Sequence, residues 1–399
     1  MEPAVAENQP RKNRVTNNSF TQIEERVAGF IATASDSDAD SDLEFQQLAL
    51  DLFALQFEHV PPFHGLCEAQ NILPGIIKDW RDIPAVPTAA FKEFEISSLP
   101  SAERTRVFHS SGTISQKPSR HFHGADSLRI YEASLLTWFR RNFPADSVAE
   151  SNRDLSRSGA RLQFAFLTPP ASAAPHSSLV YMFDTIAREG GGRDAFFAGQ
   201  LQNEVWILRL DDLVGGLRNA TESGRPVAIL GTAFLFVHLL DHCAANKIVL
   251  RLAPGSWILE TGGYKGRSRE VPKPELYRLM TKHLGIPATH IVSEYGMSEL
   301  SSQAYDGRIK NSKLEIKNAG ALDRVCRFPP WARARIISPE TGREVNEGET
   351  GLIRVMDLAN VRSVLAIQTE DLGIRRGNGF ELIGRAALSE PRGCSLLTQ

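Results

Sequence analysis

A chain of 399 residues, 42% apolar and 23% charged, has ordinary globular composition and enough length for one large domain or two smaller ones. A formal net charge of −2 without a long basic stripe excludes the electrostatic footprint of a nucleic-acid binder or of a protein held on an anionic membrane surface, leaving small molecules and proteins as partners. Cys67, Cys243, Cys326 and Cys394 lie far apart with no CxxC pair, which argues against a disulfide framework or a thiolate zinc site.

Residues 1–19 show neither apolar periodicity nor an apolar leader and read as a disordered tail. No window supplies the roughly 18 consecutive apolar residues of a membrane span, so the expectation is a cytoplasmic protein with reduced thiols. The acidic run SDSDADSD, Ser35 to Asp42, reads as a polar connector. Phe45, Leu48, Leu52, Leu55 and Phe57 then recur at near-helical spacing until Pro61 and Pro62, predicting an N-terminal helical region.

The next informative stretch is HSSGTISQKPSRHFHG, His109 to Gly124. A loop of Ser, Gly and Thr exposes backbone N–H groups and hydroxyls with little bulk, so it can wrap a polyphosphate, with Lys117 and Arg120 adding charge; a plain solvated loop has the same composition. It is not a Walker A loop, because no Gly-Lys-Ser/Thr follows Gly112 at the required spacing. His121 and His123 bracket Phe122 and, with His109, could suggest a metal site, but no Cys or paired acid lies nearby in sequence and strand alternation produces the same pattern.

From Arg161 onward, β-rich apolar runs alternate with helical stretches. LQFAFLTPP, PVAILGTA, SWILETGG and HIVSEYG read as strands; SLVYMFDTIARE, FLFVHLLDHCAANK and KPELYRLMTKHLG read as helices. This alternation predicts βαβ units and a mostly parallel sheet covered on both faces, with ligands beyond the carboxyl ends of the strands. ETGGYKG and SEYGMSE sit at those ends. SEYGMSELSS combines a ring, a glycine and an acid, suited to stacking a base and holding a metal beside phosphates; Tyr295 as a core aromatic and Glu299 as a helix N-terminal acid fit equally. Asp371 in TEDLG also fits simple turn chemistry. After Trp331, β-rich runs flank turn signals at Thr341-Gly342 and Gly377-Asn378-Gly379, predicting antiparallel hairpins. The GxSxG, HExxH and GxGxxG fingerprints do not occur, which weakens hydrolase, metalloprotease and dinucleotide readings.

SSGTISQKPSR, ETGG, SEYGMSE, TEDLG and GFELIGR stand in the order and at the approximate spacing of the adenylate-forming enzymes, the superfamily of acyl-CoA synthetases, luciferase and nonribosomal peptide adenylation domains. Within it the chain most resembles the LuxE-type acyl-protein synthetases, through LALDLFALQFEHVPPFHGLC, IPAVPTAAFKEFEI, VFHSSGTISQKPSRH, ETGGYKGRSREV, SEYGMSEL and the ending PRGCSL. The resemblance implies an α/β adenylate-forming core over residues 20–385, with mostly parallel sheets flanked by helices and a small β-rich C-terminal part, followed by a hinge and tail over 386–399. It implies ATP and Mg2+ as cofactors and a carboxylic, fatty acid as substrate. Ser110, Ser111, Gly112, Thr113 and Ser115 would hold the ATP phosphates, with Lys117 or Arg120 as charge partners. Gly262 and Gly263 would border the nucleotide, Tyr295 would stack on adenine beside Gly296, and Glu299 would help coordinate magnesium. Asp371 would bind the ribose hydroxyls, and Arg385 would reach the ribose or phosphate from the hinge.

Two departures qualify the pattern. The superfamily loop reads Ser-Gly-Thr-Thr-Gly, whereas Ile114 and Ser115 stand here at its second threonine and second glycine. The larger enzymes also carry a C-terminal lid of roughly a hundred residues with a catalytic lysine, and this sequence stops about a dozen residues after Arg385. LuxE-type proteins are short and use a cysteine near the C-terminus as acyl acceptor. Cys394 occupies that position, where neighbouring Arg392 would favour its nucleophilic thiolate. The acyl group would then pass to an acyl-protein reductase. Two other readings stay open here: an acyl-CoA or acyl-carrier ligase of the phenylacetate-CoA-ligase-like type, and a non-catalytic nucleotide-binding protein.

Overall fold

The computed structural model describes residues 19–35, 39–110, 117–143, 162–189, 195–203, 205–264, 267–307, 309–310, 313–314 and 324–386. Ser19 caps the first helix, α1 (Phe20–Thr33), and exchanges capping-box hydrogen bonds with Gln22, so it belongs to the fold rather than to a tail. α2 (Ala39–His59) begins earlier than the apolar spacing indicates: Ala39–Asp42 are its first turn, which corrects the reading of that acidic run as a connector. Asp40 and Asp42 sit where the helix dipole favours negative charge. Pro61 and Pro62 end α2 and also start α3 (Pro61–Ala69), occupying the first helical positions, where a missing N–H costs nothing. Short β1 (Val86–Pro87) and α4 (Ala90–Glu93) lead to the hairpin of β2 (Arg106–His109) and β3 (Arg120–His123), and then to α5 (Ala125–Asn142).

The expected βαβ region is present. Its elements are β4 (Gln163–Phe166), α6 (Ser178–Glu189), β5 (Ala195–Phe197), the hairpin of β6 (Gly199–Gln202) and β7 (Val205–Leu208), α7 (Leu210–Glu222), β8 (Val227–Thr232), α8 (Ala233–Ala245), β9 (Trp257–Thr261), α9 (Lys273–Leu284), β10 (Ile291–Tyr295) and β11 (Ala304–Tyr305). The sheet order is β11-β10-β9-β8-β4-β5, parallel except at the β11 edge. Period-2 alternation divides its side chains between two cores. Phe164, Phe166, Ala228, Leu230, Trp257, Leu259 and Val292 pack with α1, α2, α5 and α6, while Ala165, Val227, Ile229, Ile258 and Ile291 pack with α7, α8 and α9. Both faces are therefore covered, which is why these strands read as continuous apolar runs. No described helix is long and apolar enough to cross a membrane.

Short β12 (Ile309–Lys310) and β13 (Lys313–Leu314) pair with each other. The C-terminal hairpins form as expected: β14 (Ala332–Ile337), β15 (Thr350–Asp357), β16 (Ala366–Arg376) and β17 (Gly379–Arg385) pair antiparallel in sequence order, and β1 adds to β16 in parallel. Gly342 and Gly377 take φ of +68° and +58° in the connecting turns, the conformation that favours glycine there. The N-terminal helices fasten to the β15–β16 connection. Gln56, fully buried on α2, donates to the Asn360 carbonyl at 2.8 Å and accepts from the Leu365 N–H at 2.9 Å, and Arg362 pairs with buried Glu24 on α1.

Candidate active site

The β2–β3 hairpin carries the Ser/Gly/Thr loop on its end. Its stem closes where the Ser119 N–H donates to Ser110 Oγ at 2.9 Å and the Ser110 N–H to the Ser119 carbonyl at 3.3 Å. Ser110 is thus part of the stem, with its hydroxyl already accepting one bond. Ser111, Gly112, Thr113, Ile114 and Ser115 lie outside the described residues, as does Cys394. Lys117 and Arg120 flank the loop but face acids near α4: Lys117 Nζ is 3.5 Å from Glu93, and Arg120 is 3.3 Å from Glu95, a carboxylate shared with Arg104 at 2.7 Å. The Arg104 hydrogen bond holds the Glu95 carboxyl below its usual range. These are surface pairs of small net value, which an incoming phosphate chain can compete for.

The loop base meets the segment after β10. Ser119 Oγ donates to Glu299 Oε1 at 2.5 Å and Ser298 Oγ to Glu299 Oε2 at 3.0 Å. Glu299 is only 6% exposed, and no cation pairs with it among the described residues. A buried carboxylate compensated by two hydroxyls alone is the kind of oxygen donor that a hard divalent cation completes, so the residue present fits magnesium brought in with a nucleotide.

The turn that carries Glu299 is held at several backbone groups. His121 Nδ1 donates to the Ser298 carbonyl at 2.9 Å, and Asn360 Nδ2 to the Glu299 carbonyl at 3.0 Å. The Asp357 carboxylate accepts the N–H groups of Ser301 and Ser302 at 2.9 and 2.8 Å, the Ser302 hydroxyl at 2.7 Å and the Ala359 N–H at 3.0 Å. A buried chain from Trp331 Nε1 through Ser134 Oγ to Ser302 Oγ ties the same turn to α5. Burial raises the Asp357 carboxyl to about 6 and lowers the His121 imidazole to about 4, since both would have to hold charge away from water. His121 therefore acts as a neutral hydrogen-bond donor through Nδ1, and no cluster of three His, Cys, Asp or Glu that could hold a metal ion occurs among the described residues. Burial also puts neighbouring His123 well below its ordinary value.

The remaining predicted residues gather at the same ends of the parallel strands. Gly262, with φ +68°, and Gly263 follow β9, and a Cβ added at either would meet open space. Tyr295 ends β10, and its hydroxyl donates to Asp371 Oδ2 at 2.9 Å. The ring is buried edge-on against Phe380, with centroids 5.2 Å apart. Asp371 on β16 is the register partner of Arg385 on β17, whose Nε lies 3.8 Å from Asp371 Oδ1 while its side chain is 80% exposed. Tyr295, Asp371 and Arg385, spread over ninety positions of sequence, thus form one contiguous chain of contacts. The sequence reading missed Ser119, His121 as a backbone anchor, Asp357 and Asn360. Ser119 stood inside the quoted loop motif; Asp357 and Asn360 had no local signal, since their partners lie 55 and 61 residues away.

Residues 206–399 match the family model described as Acyl-protein synthetase, LuxE. The chain is 22% identical to the long-chain-fatty-acid--luciferin-component ligase of Vibrio harveyi, over 88% of this chain and 86% of that one. It is 21% identical to the ligase of the same name from Aliivibrio fischeri, over 44% of this chain and 45% of that one. Among solved structures it is similar to an open conformation of 2-hydroxyisobutyryl-CoA ligase in complex with 2-HIB-AMP and CoA, with a TM-score of 0.56 and 15% identity, covering 86% of this chain and 75% of that one. Motif order, fold and family match thus agree: residues 206–399 are similar to the LuxE acyl-protein synthetases, and the chain shares the fold of an adenylate-forming CoA ligase.

Proposed function

We propose that this protein activates a fatty acid with ATP as an acyl-adenylate and transfers the acyl group to its own Cys394 as a thioester, for delivery to a partner such as an acyl-protein reductase. The observation that carries the reading is the meeting of Ser119 with Glu299 and of Tyr295 with Asp371, which joins three distant motifs near the carboxyl end of β10 in the parallel sheet.

In this reading Ser110, Ser111, Gly112, Thr113 and Ser115 surround the phosphates, and Lys117 and Arg120 exchange their surface acids for phosphate oxygens. Gly262 and Gly263 let the backbone approach the nucleotide, Tyr295 and Gly296 flank adenine, and Asp371 and Arg385 bind the ribose. Glu299 would hold magnesium, which when bound neutralises phosphate charge. The substrate carboxylate oxygen attacks the α-phosphorus of ATP, the bond to the bridging oxygen breaks, and pyrophosphate leaves. The Cys394 thiolate then attacks the acyl carbonyl, and AMP departs with the electron pair of the broken C–O bond. By the family resemblance, the acceptor would be an acyl-protein reductase.

Incubating the full chain with ATP and radiolabelled fatty acids tests this. The expected result is fatty-acid-dependent ATP–pyrophosphate exchange in the wild type and in Cys394→Ala. Label should survive denaturation, be lost to hydroxylamine, and be absent from Cys394→Ala. Efficient acyl-CoA formation by Cys394→Ala overturns the self-acylation step, and ATP binding without exchange across a panel of acids overturns adenylation.

A further inference from the structure

Glu294 and Thr261 are cross-strand partners at the carboxyl ends of parallel strands β10 and β9. The Thr261 hydroxyl donates to Glu294 Oε2. The other carboxyl oxygen occupies the space beside Gly296, where an added Cβ would lie 2.3 Å from it. One buried side chain thus touches both turns proposed to border the nucleotide: through Thr261 it is tied to the residue before Gly262-Gly263, and by contact it fills the floor under Tyr295-Gly296.

An acid is a costly choice for this place. Glu294 is 6% exposed and has no ion-pair partner among the described residues. The groups that face it are the phenols of Tyr131 on α5 and Tyr305 on β11, and the Cys326 thiol. Glu260 and Lys273 act on it from the other side of the sheet, where Lys273 Nζ bonds Ser293 Oγ at 2.7 Å. A glutamine would fill the same volume without a charge to desolvate, and an apolar residue would pack the core more cheaply. What the side chain supplies is an acceptor for Thr261 together with a compact, flat group against a glycine, and the protonated acid supplies both without a charge to desolvate.

We propose that Glu294 is a positioning residue that sets the spacing between the 262–263 and 295–296 turns, and that it does so as the neutral carboxylic acid. The inference rests on the assignment of those turns to ATP. Burial raises this carboxyl to about 7, so the neutral form is present under ordinary conditions and is lost on the alkaline side. Ionisation would put an unpaired charge against Gly296 and loosen the floor of the nucleotide site.

The test uses the full chain as wild type, Glu294→Gln, Glu294→Ala and Thr261→Val, and reads two quantities from pH 6 to 9. These are the Kd for ATP by calorimetry, and KM and kcat in fatty-acid-dependent pyrophosphate exchange. In the wild type the Kd and KM for ATP should rise above the carboxyl's transition, whereas Glu294→Gln should stay flat and retain the affinity seen at pH 6. Glu294→Ala and Thr261→Val should raise KM for ATP by about tenfold with kcat changed by less than about threefold, a split that general unfolding does not produce. An alkaline limb that persists in Glu294→Gln, or unchanged ATP affinity in folded Thr261→Val, overturns the proposal. Wild-type protein that binds ATP but does not exchange refutes adenylation while leaving positioning judged by Kd, and failure to bind ATP at all refutes both.

Discussion

Ser119 Oγ and Glu299 Oε1, 180 positions apart in the chain, are joined by a 2.5 Å hydrogen bond where the β2–β3 hairpin meets the turn after β10. The bond fixes the carboxylate relative to the β2–β3 hairpin before any ligand arrives, which is the condition for electrostatic preorganisation if the proposed site binds ATP. Ser119→Ala should therefore raise the magnesium concentration needed for half-maximal pyrophosphate exchange by about tenfold, the scale typical of lost outer-shell partners, while Glu299→Gln should raise it further or abolish exchange. A magnesium titration of the two variants beside the wild type decides the matter. An unchanged requirement in Ser119→Ala would show that Glu299 is positioned by its backbone alone.

His121 supplies the acid sensitivity of that backbone. Its folded value, lowered to about 4 by burial, lies below the ordinary 6.5. A depressed group contributes stability that is complete above the unfolded value and lost as pH falls through the folded one, so the window runs from about 6.5 down to about 4. The shift corresponds to about 3 kcal/mol across that window. His121→Asn, whose amide can still donate to the Ser298 carbonyl, should show a shallower loss of urea midpoint between pH 7 and pH 5 than the wild type. Parallel slopes would refute the assignment.

Arg120 pairs with Glu95, as Lys117 does with Glu93, so both proposed phosphate partners already face an acid. Replacing Glu95 with glutamine removes the shared acid, and ATP should then bind about two- to threefold more tightly at low salt, with the gain shrinking as salt rises. Calorimetry at two ionic strengths reads this directly. Weaker ATP binding by Glu95→Gln would place Arg120 among the groups that brace the hairpin through Glu95.

Elements whose signals are local were legible in the chain. β8, β9 and β10 announced themselves as apolar runs because they are covered on both faces, and α8 and α9 by length and periodicity. α1 went unmarked, although Ser19 and Gln22 spell a capping box ahead of an apolar stripe. The end of the acidic run, Ala39–Asp42, was misjudged because a helix N-terminus and a solvated connector ask for the same residues. Motif order picked out Ser110, Tyr295, Glu299, Asp371 and Arg385 as candidates, but not what holds them. Asp357 and Asn360 act only through turns far away in sequence, and Glu294 was hidden inside its own motif, where neither period nor composition marks a buried acid.

The fastening of Gln56 and Glu24 to the β15–β16 connection has a consequence for how this protein can be divided. Residues 206–399 carry the family match, yet β8 within them borders β4, and the connection after β15 is bonded to partners 304 and 338 residues earlier. Cut out alone, that segment would bare the flank of a parallel sheet and orphan the amides that Gln56 satisfies, making a sticky fragment rather than a domain. The evolutionary signature and the cooperative unit do not coincide. Such distant closures also make assembly slow, because most of the chain must be present before its last strands can find their places.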